Sequence, residues 1–251
     1  MRTSFVCIII LLAASSAVGV YARSMKVGDY FEPGPQRALA EASGKGRIAE
    51  IEKLLSSGAD INFQGREGMT ALIWALLQQN KKGYQSLLEK GADPNLQMTE
   101  SALTSDGLTD GNSATSLAAM HGDPWYLETT LKHGGNPNLV NPVKGVTPIF
   151  QCIMLYDKNH SRLEQLKMLI AAGADLNVRD RDGYPPIMIA TISNRFDMVY
   201  TMLAAGADPS ARSTANTTIV SIIRRIHTDP KHELYQWRVK VIEFLKAKGI
   251  Y

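Results

Sequence analysis

The sequence predicts an all-α fold, a solenoid of about six stacked helix-turn-helix repeats joined by finger loops. Three observations carry this expectation. The phrase "GAD" recurs at 58–60, 91–93, 173–175 and 206–208, with "GGN" in the same role at 134–136. Each phrase follows an apolar pattern of helical spacing that closes on a leucine-rich turn, as in "IAEIEKLLSSG" and "FDMVYTMLAAG". A second short helical pattern lies upstream, opened by Thr or Ser and a small residue or proline, as in "MTALIWALL", "VTPIFQCIM" and "YPPIMIATI". Successive openings are 33 residues apart from Arg37 to Thr70 and from Pro185 to Thr218, and the intervening steps to Ser113, Thr147 and Pro185 exceed 33 by 10, 1 and 5. Neither helix of such a pair can bury its apolar face alone, so the copies must stack into one continuous core.

The first 22 residues read differently. Met1-Arg2 gives a short positive start, "VCIIILLAASSAVGV" is apolar and uncharged, and Val20-Tyr21-Ala22 places small residues where a signal peptidase cuts. The apolar stretch is short for a membrane span, which needs about 20 residues. The expectation is a leader cleaved near Ala22 and an exported, periplasmic chain that does not span the membrane; a retained anchor helix is the alternative. Residues 23–36 then form a cover, with Tyr30 and Phe31 of "DYFEPGPQ" packed over the first copy. The repeats occupy 37–251, interrupted by inserts near 97–108 ("QMTESALTSDGL"), 156–161 ("YDKNHS") and 227–236, and "YQWRVKVIEFLKAKG" closes the stack as a charged terminal helix.

Within the repeated phrase the physics is local. In "LLSSGADIN", Leu54 and Leu55 end an apolar face, and Gly58 takes the left-handed conformation that stops a helix. Asp60 and Asn62 are positioned to bond their own backbone and turn the chain. Gly91, Gly134, Gly173 and Gly206 repeat the stop.

A 33-residue unit of turn, helix, helix and "G-A-D-x-N", with "GVTPIFQCI" and "DGYPPIMIA" opening two copies, resembles the ankyrin repeat family. The resemblance covers nearly all of the chain after the leader. It departs from the family in one respect. The histidine that in the family knits the opening turn is replaced by Ala40, Ile73, Ser116, Phe150, Met188 and Ser221, which implies copies held more by apolar packing.

The stretch "MHGDPWYLETTLKHGGNPNL" (120–139) holds two histidines, an aspartate and a Trp-Tyr pair. The repeat register puts His121 and His133 at opposite ends of one outer helix, about 18 Å apart at the helical rise, too far to share a metal. "SGKG" lacks the rest of a phosphate loop, and "DRDG" lacks the downstream glutamate of a calcium loop. Loss of the leader removes Cys7 and leaves Cys152 alone, at a position where other copies carry a small buried alanine; it reads as a core thiol. The formal charge of +3 provides no basic stripe for nucleic acid. No enzyme activity, metal or cofactor is expected.

Stacked repeats offer a concave surface built from finger tips and inner-helix ends. The residues placed there by register are Arg66, Glu67 and Met69, then Thr109, Asp110 and Asn112, then Val143, Lys144 and Val146, then Arg181, Asp182 and Tyr184. Leu77, Gln78, Met120 and His121 join them from the helix ends. The expected partner is another protein, met by a chain that is monomeric when free. "YFEPGPQRALAEAS" and the ending "LYQWRVKVIEFLKAKGIY" resemble periplasmic ankyrin immunity proteins paired with lipase effectors of type VI secretion. A second exported ankyrin group, which supports oxidative-stress enzymes such as catalase, is the alternative reading.

Overall fold

Three helices begin in one way. The side-chain oxygens of Thr70, Ser113 and Thr218 accept hydrogen bonds from the backbone N–H groups of Ile73, Ser116 and Ser221 at 3.1, 3.2 and 3.2 Å. Ser116 and Ser221 answer with their own hydroxyls, which accept from the backbone of Ser113 and Thr218. Two of the positions vacated by the family histidine therefore still tie the turn by hydrogen bonds. Ile73, Phe150 and Met188, at the same position of other copies, are wholly buried and hold it by packing.

The computed structural model describes residues 25–99, 111–154, 162–226, 230–231 and 234–251. Its helices are α1 (Val27–Tyr30), α2 (Pro35–Gly44), α3 (Ile48–Ser56), α4 (Ala71–Leu77), α5 (Lys81–Glu89), α6 (Ala114–Met120), α7 (Pro124–Lys132), α8 (Pro148–Met154), α9 (Leu163–Ala171), α10 (Pro186–Ile192), α11 (Phe196–Ala204), α12 (Ile219–Ile223) and α13 (Tyr235–Ala247). A short 3₁₀ turn, Arg66–Gly68, tips the first finger. From α2 onward the helices alternate between two layers. The even-numbered inner helices pack each on the next, and the odd-numbered outer helices α3 to α13 do the same behind them. Among the described residues the fold is all helical, with two isolated β-bridges, Gln97 to Ser113 and Arg212 to Thr218. The leader, the insert beyond Thr99 and the 156–161 insert lie outside the described residues, as does part of 227–236.

The helix stops are the glycines of the repeated phrase, whose φ values run from 85° at Gly173 to 97° at Gly206. Asp60 turns the chain locally, its Oδ1 accepting from the Asn62 N–H at 2.9 Å. Asn62 does something else. Its Oδ1 accepts from the N–H of Asp93 in the next copy at 2.8 Å. The same link runs from Asn136 N–H to Asn95, from Asp175 N–H to Asn138 and from Asp208 N–H to Asn177, at 2.8, 2.8 and 2.9 Å. Asn95 and Asn138 also donate through Nδ2 to the carbonyls of Gly134 and Gly173, both at 2.9 Å. The asparagine is thus an inter-repeat staple, where the sequence pattern alone had given it a role inside its own turn. Ser210 stands at this position in the fifth copy and its hydroxyl turns back to Asp208, so the ladder ends there.

The two ends are covered differently. Tyr30 and Phe31 are buried, with ring centroids 6.2 Å from Trp74 and 6.5 Å from Phe63 respectively. At the other end Val241 and Leu245 of α13 are wholly buried, Trp237 packs on Tyr200 at 5.7 Å, and the Arg238 guanidinium donates to the Ile223 carbonyl at 3.2 Å. Two tight points lie between them. A Cβ on Gly83 of α5 would fall 1.8 Å from the Ser43 carbonyl oxygen at the end of α2. The Arg195 guanidinium and Asp197 carboxylate, both buried, form a two-pronged pair at 3.1 and 2.9 Å where α11 begins.

Candidate interaction surface

The fingers stack through their glycines. A Cβ on Gly68 would meet the backbone of Met98, one on Gly111 the amide of Asn141, one on Gly145 the side chain of Arg181, and one on Gly183 the methyl of Thr214. All four have φ between 65° and 79°, so glycine answers both the left-handed turn and the close approach. The result is a row of fingers in contact, rising from the inner helices.

Onto this row the structure distributes the sequence-predicted residues unevenly. Arg66 is exposed and its guanidinium pairs with Glu32 of the N-terminal segment. Glu67 sits half-buried at the first tip with φ 57°, its carbonyl accepting from Thr99 N–H at 2.9 Å; its carboxylate meets no hydrogen-bond donor among the described residues. Arg181 and Asp182 are exposed, and Arg181 reaches across to the Pro142 carbonyl at 2.9 Å. Val143 and Lys144 are half-buried in a turn closed by Asn141, whose Oδ1 accepts from both their N–H groups at 2.9 and 2.8 Å. Gln78 and Met120 are half-buried, as is Tyr184. Thr109 and Asp110 lie outside the described residues.

Four of the predicted contact residues are removed from the surface. Met69 and Asn112 are wholly buried, Leu77 is 2% exposed and Val146 7%. Met69, Asn112 and Val146 share a place, each directly preceding the residue that opens an inner helix, and in these three copies it is buried, whereas Tyr184 at the same position before Pro185 is half-buried. Asn112 shows what it does there. Its Oδ1 accepts from Asn141 Nδ2 at 3.0 Å and Gln151 Nε2 at 2.7 Å, tying the finger to α8. Conversely, inner-helix register had a further signal to offer. Helices α4, α6, α8 and α10 end on Leu77, Met120, Met154 and Ile192. Met154 and Ile192 stand exposed where Leu77 is buried, and Val140 beside the third finger is exposed too.

His121, half-buried, caps the end of α6. Its Nδ1 accepts from the Asp123 N–H at 3.0 Å, its carbonyl accepts from Gln165 at 2.9 Å, and its ring lies 4.4 Å from Tyr126. Burial holds the imidazole below its ordinary pKa, assisted by the charges of Arg162 and Lys81. Asp123 is partly desolvated, which would raise its carboxyl, but Lys81 at 2.6 Å and the Trp125 amide at 3.0 Å hold it below the usual carboxylate value. A histidine whose folded pKa is depressed stabilises the fold fully above its unfolded pKa, about 6.5, and the contribution is lost as pH falls from there through the folded value. Asp123 acts only in the more acid range below about 4. Urea midpoints measured at pH 8 and pH 5 should therefore fall in the wild type, and fall distinctly less in His121→Asn. Equal losses in the two proteins would remove His121 as the cause.

Cys152 is wholly buried, its thiol donates to the Arg162 carbonyl at 3.4 Å, and burial pushes its pKa up to about 12. It is a protonated core thiol, not an attacking one. Among the described residues no three His, Cys, Asp or Glu side chains converge as metal ligands, and no helix is long and apolar enough to cross a membrane.

Comparison with known proteins gives this architecture its place. A family model described as "Ankyrin repeats (3 copies)" matches residues 11–98 and 115–213, well over half of the chain. Protein PhlB of Serratia liquefaciens is 32% identical over 198 residues, covering 78% of this chain and 80% of PhlB. The mitochondrial disaggregase of Homo sapiens is 30% identical over 198 residues, covering 70% of this chain, which spans 26% of that longer protein. An ankyrin repeat domain from Acinetobacter baumannii AYE superposes with a TM-score of 0.66 at 24% identity, covering 84% of this chain and 97% of the domain, a likeness of fold. The 33-residue step, the left-handed glycines, the stacked helical pairs and the matched family model together make this chain a member of the ankyrin repeat family, whose fold is a scaffold for binding other proteins.

Proposed function

We propose that this protein is an exported, non-enzymatic scaffold that holds another protein against its fingers and inner-helix ends, and that it serves as an immunity protein blocking a secreted antibacterial effector of the lipase type. One observation carries the binding part: Met154 and Ile192 stand exposed at matching ends of packed neighbouring helices, and among the described residues only two other large apolar side chains, Phe63 and Val140, are so exposed, while Arg181 and Asp182 are exposed on the finger that precedes α10. Exposed apolar groups framed by charge are what a protein interface needs. The blocking would be steric, a rigid curved stack laid over the effector's cleft. The leader-like first 22 residues support export, and the immunity role rests on the sequence resemblance of the two ends.

The test is purification of the tagged protein from the periplasm, mass spectrometry of what accompanies it, and a lipase assay of the recovered partner. A secreted hydrolase should co-purify in one-to-one ratio, inactive in the complex and active once freed. Met154→Glu should release it, with the melting temperature unchanged. Recovery of a partner with full activity would end the blocking role. Retention by Met154→Glu and Ile192→Glu alike would end the assignment of the face.

A further inference from the structure

The binding surface has two chemically different halves. Toward the N-terminus it is more closed: Leu77 is buried at the inner-helix end, Arg66 pairs with Glu32, and Phe63, 40% exposed, lies with its ring 6.5 Å from that of Phe31. Toward the C-terminus it is open. Val140, Met154 and Ile192 are 52%, 42% and 52% exposed, three of the four large apolar side chains so exposed among the described residues. The same half carries Arg181 and Arg212 on the fourth and fifth fingers, and Arg225, two residues beyond α12 at the register position held by Ile192 in the preceding copy. All three arginines are exposed, and none pairs with a carboxylate among the described residues. Arg181 and Arg212 spend their hydrogen bonds on the Pro142 carbonyl and the Asn216 amide oxygen, which fixes their guanidinium groups without cancelling their charge. Asp182, next to Arg181, is an exposed carboxylate on the fourth finger, while Asp180 is engaged by the Asp182 and Tyr184 N–H groups of its own turn.

Resting on the binding role above, we infer that the C-terminal half of this face takes an acidic segment of a partner protein, one that places apolar side chains on Met154 and Ile192 and carboxylates on Arg181, Arg212 and Arg225. Charge complementarity selects the sign of the partner, because bringing a basic surface to three uncompensated guanidinium groups costs free energy. The apolar floor selects a polypeptide over a nucleic acid. Nucleic acid would need a broad cationic groove and stacking aromatic rings, whereas this half presents aliphatic and thioether side chains and the whole chain carries a formal charge of only +3. A surface that combines exposed arginine with exposed methionine has the composition enriched at interfaces.

The experiment selects binders from an unbiased library of 16-residue displayed peptides on the purified protein. The peptides recovered should be rich in Asp and Glu together with Leu, Ile, Met or Phe. Their binding should fall at least about tenfold on Ile192→Glu and on the double variant Arg181→Glu/Arg212→Glu, and several-fold on raising salt from low to high. Lys82→Glu, exposed on the outer helix α5, should leave them bound. Circular dichroism melts confirm that each variant is folded. Neutral or basic peptides that are nonetheless lost on Ile192→Glu would overturn the acidic partner while leaving the face as a binding surface. Acidic peptides unaffected by any of these substitutions, or no enrichment at all, would overturn the site itself. A 16-nucleotide single-stranded DNA that binds and competes at the same variants would also overturn it, in favour of a nucleic-acid role.

Discussion

Gly83→Ala is expected to destabilise the protein by about 3 kcal/mol or more, although alanine is the better helix former. Two effects oppose each other. In a solvent-exposed helix the exchange would stabilise by about 1 kcal/mol through propensity. Here the added Cβ falls 1.8 Å from the carbonyl oxygen of Ser43 and 2.7 Å from its carbon. Ser43 cannot withdraw easily, because its hydroxyl donates to the carbonyls of Ala40 at 2.9 Å and Ala71 at 3.2 Å, and the residue is wholly buried. The clash therefore wins, and α5 must lift from α2, which also disturbs the Asn80 cap on the Gly83 N–H. At the scale of about 2–4 °C per kcal/mol for a chain of this size, the melting temperature should drop by roughly 6–12 °C. Lys82→Ala, next to it on the exposed side, should change stability by less than about 0.5 kcal/mol. An unchanged melting temperature in Gly83→Ala would contradict the close seating of α5 on α2.

Asp197→Ala should cost about 3–5 kcal/mol, because it leaves the Arg195 guanidinium buried without its carboxylate. Both side chains are nearly inaccessible to water and meet through two hydrogen bonds, so solvent cannot take over the charge. The size of the loss measures the stranded charge rather than the worth of the pair. The double variant Arg195→Met/Asp197→Leu, which removes both charges and keeps the volume apolar, should recover most of the stability. Urea midpoints of the three proteins decide the matter: a double variant as unstable as the single one would show that the pair itself holds α11 in place.

Much of the fold was legible because single residues answer single physical demands. A left-handed stop asks for glycine, and Gly58, Gly91, Gly134, Gly173 and Gly206 supply it at positions where φ exceeds 80°. A first turn with unsatisfied N–H groups asks for a hydroxyl, and Thr70, Ser113 and Thr218 supply that. The surface was harder to read, since register gives a residue's place but not what its neighbour covers. Leu77 and Ile192 hold the same place in their helices, yet one is buried and the other open. Met69 and Val146 belong to the fingers by sequence and to the core by packing. Asn62 was ambiguous for another reason: an amide side chain serves its own turn or a neighbour's equally well, and only the approach of Asp93 from 31 residues further on decides it.

That staple has a consequence for how such a chain can change in length. The partners of the four links lie 31, 41, 37 and 31 residues apart, yet every bond closes at 2.8 or 2.9 Å. Insertions have thus been absorbed without altering the coupling between one copy and the next. Because the plug and the socket are the same at each junction, removing one whole copy would bring a matching pair face to face and reseal the stack. The unit of gain and loss is then the complete module, and Ser210, which offers no plug, fixes where the series stops.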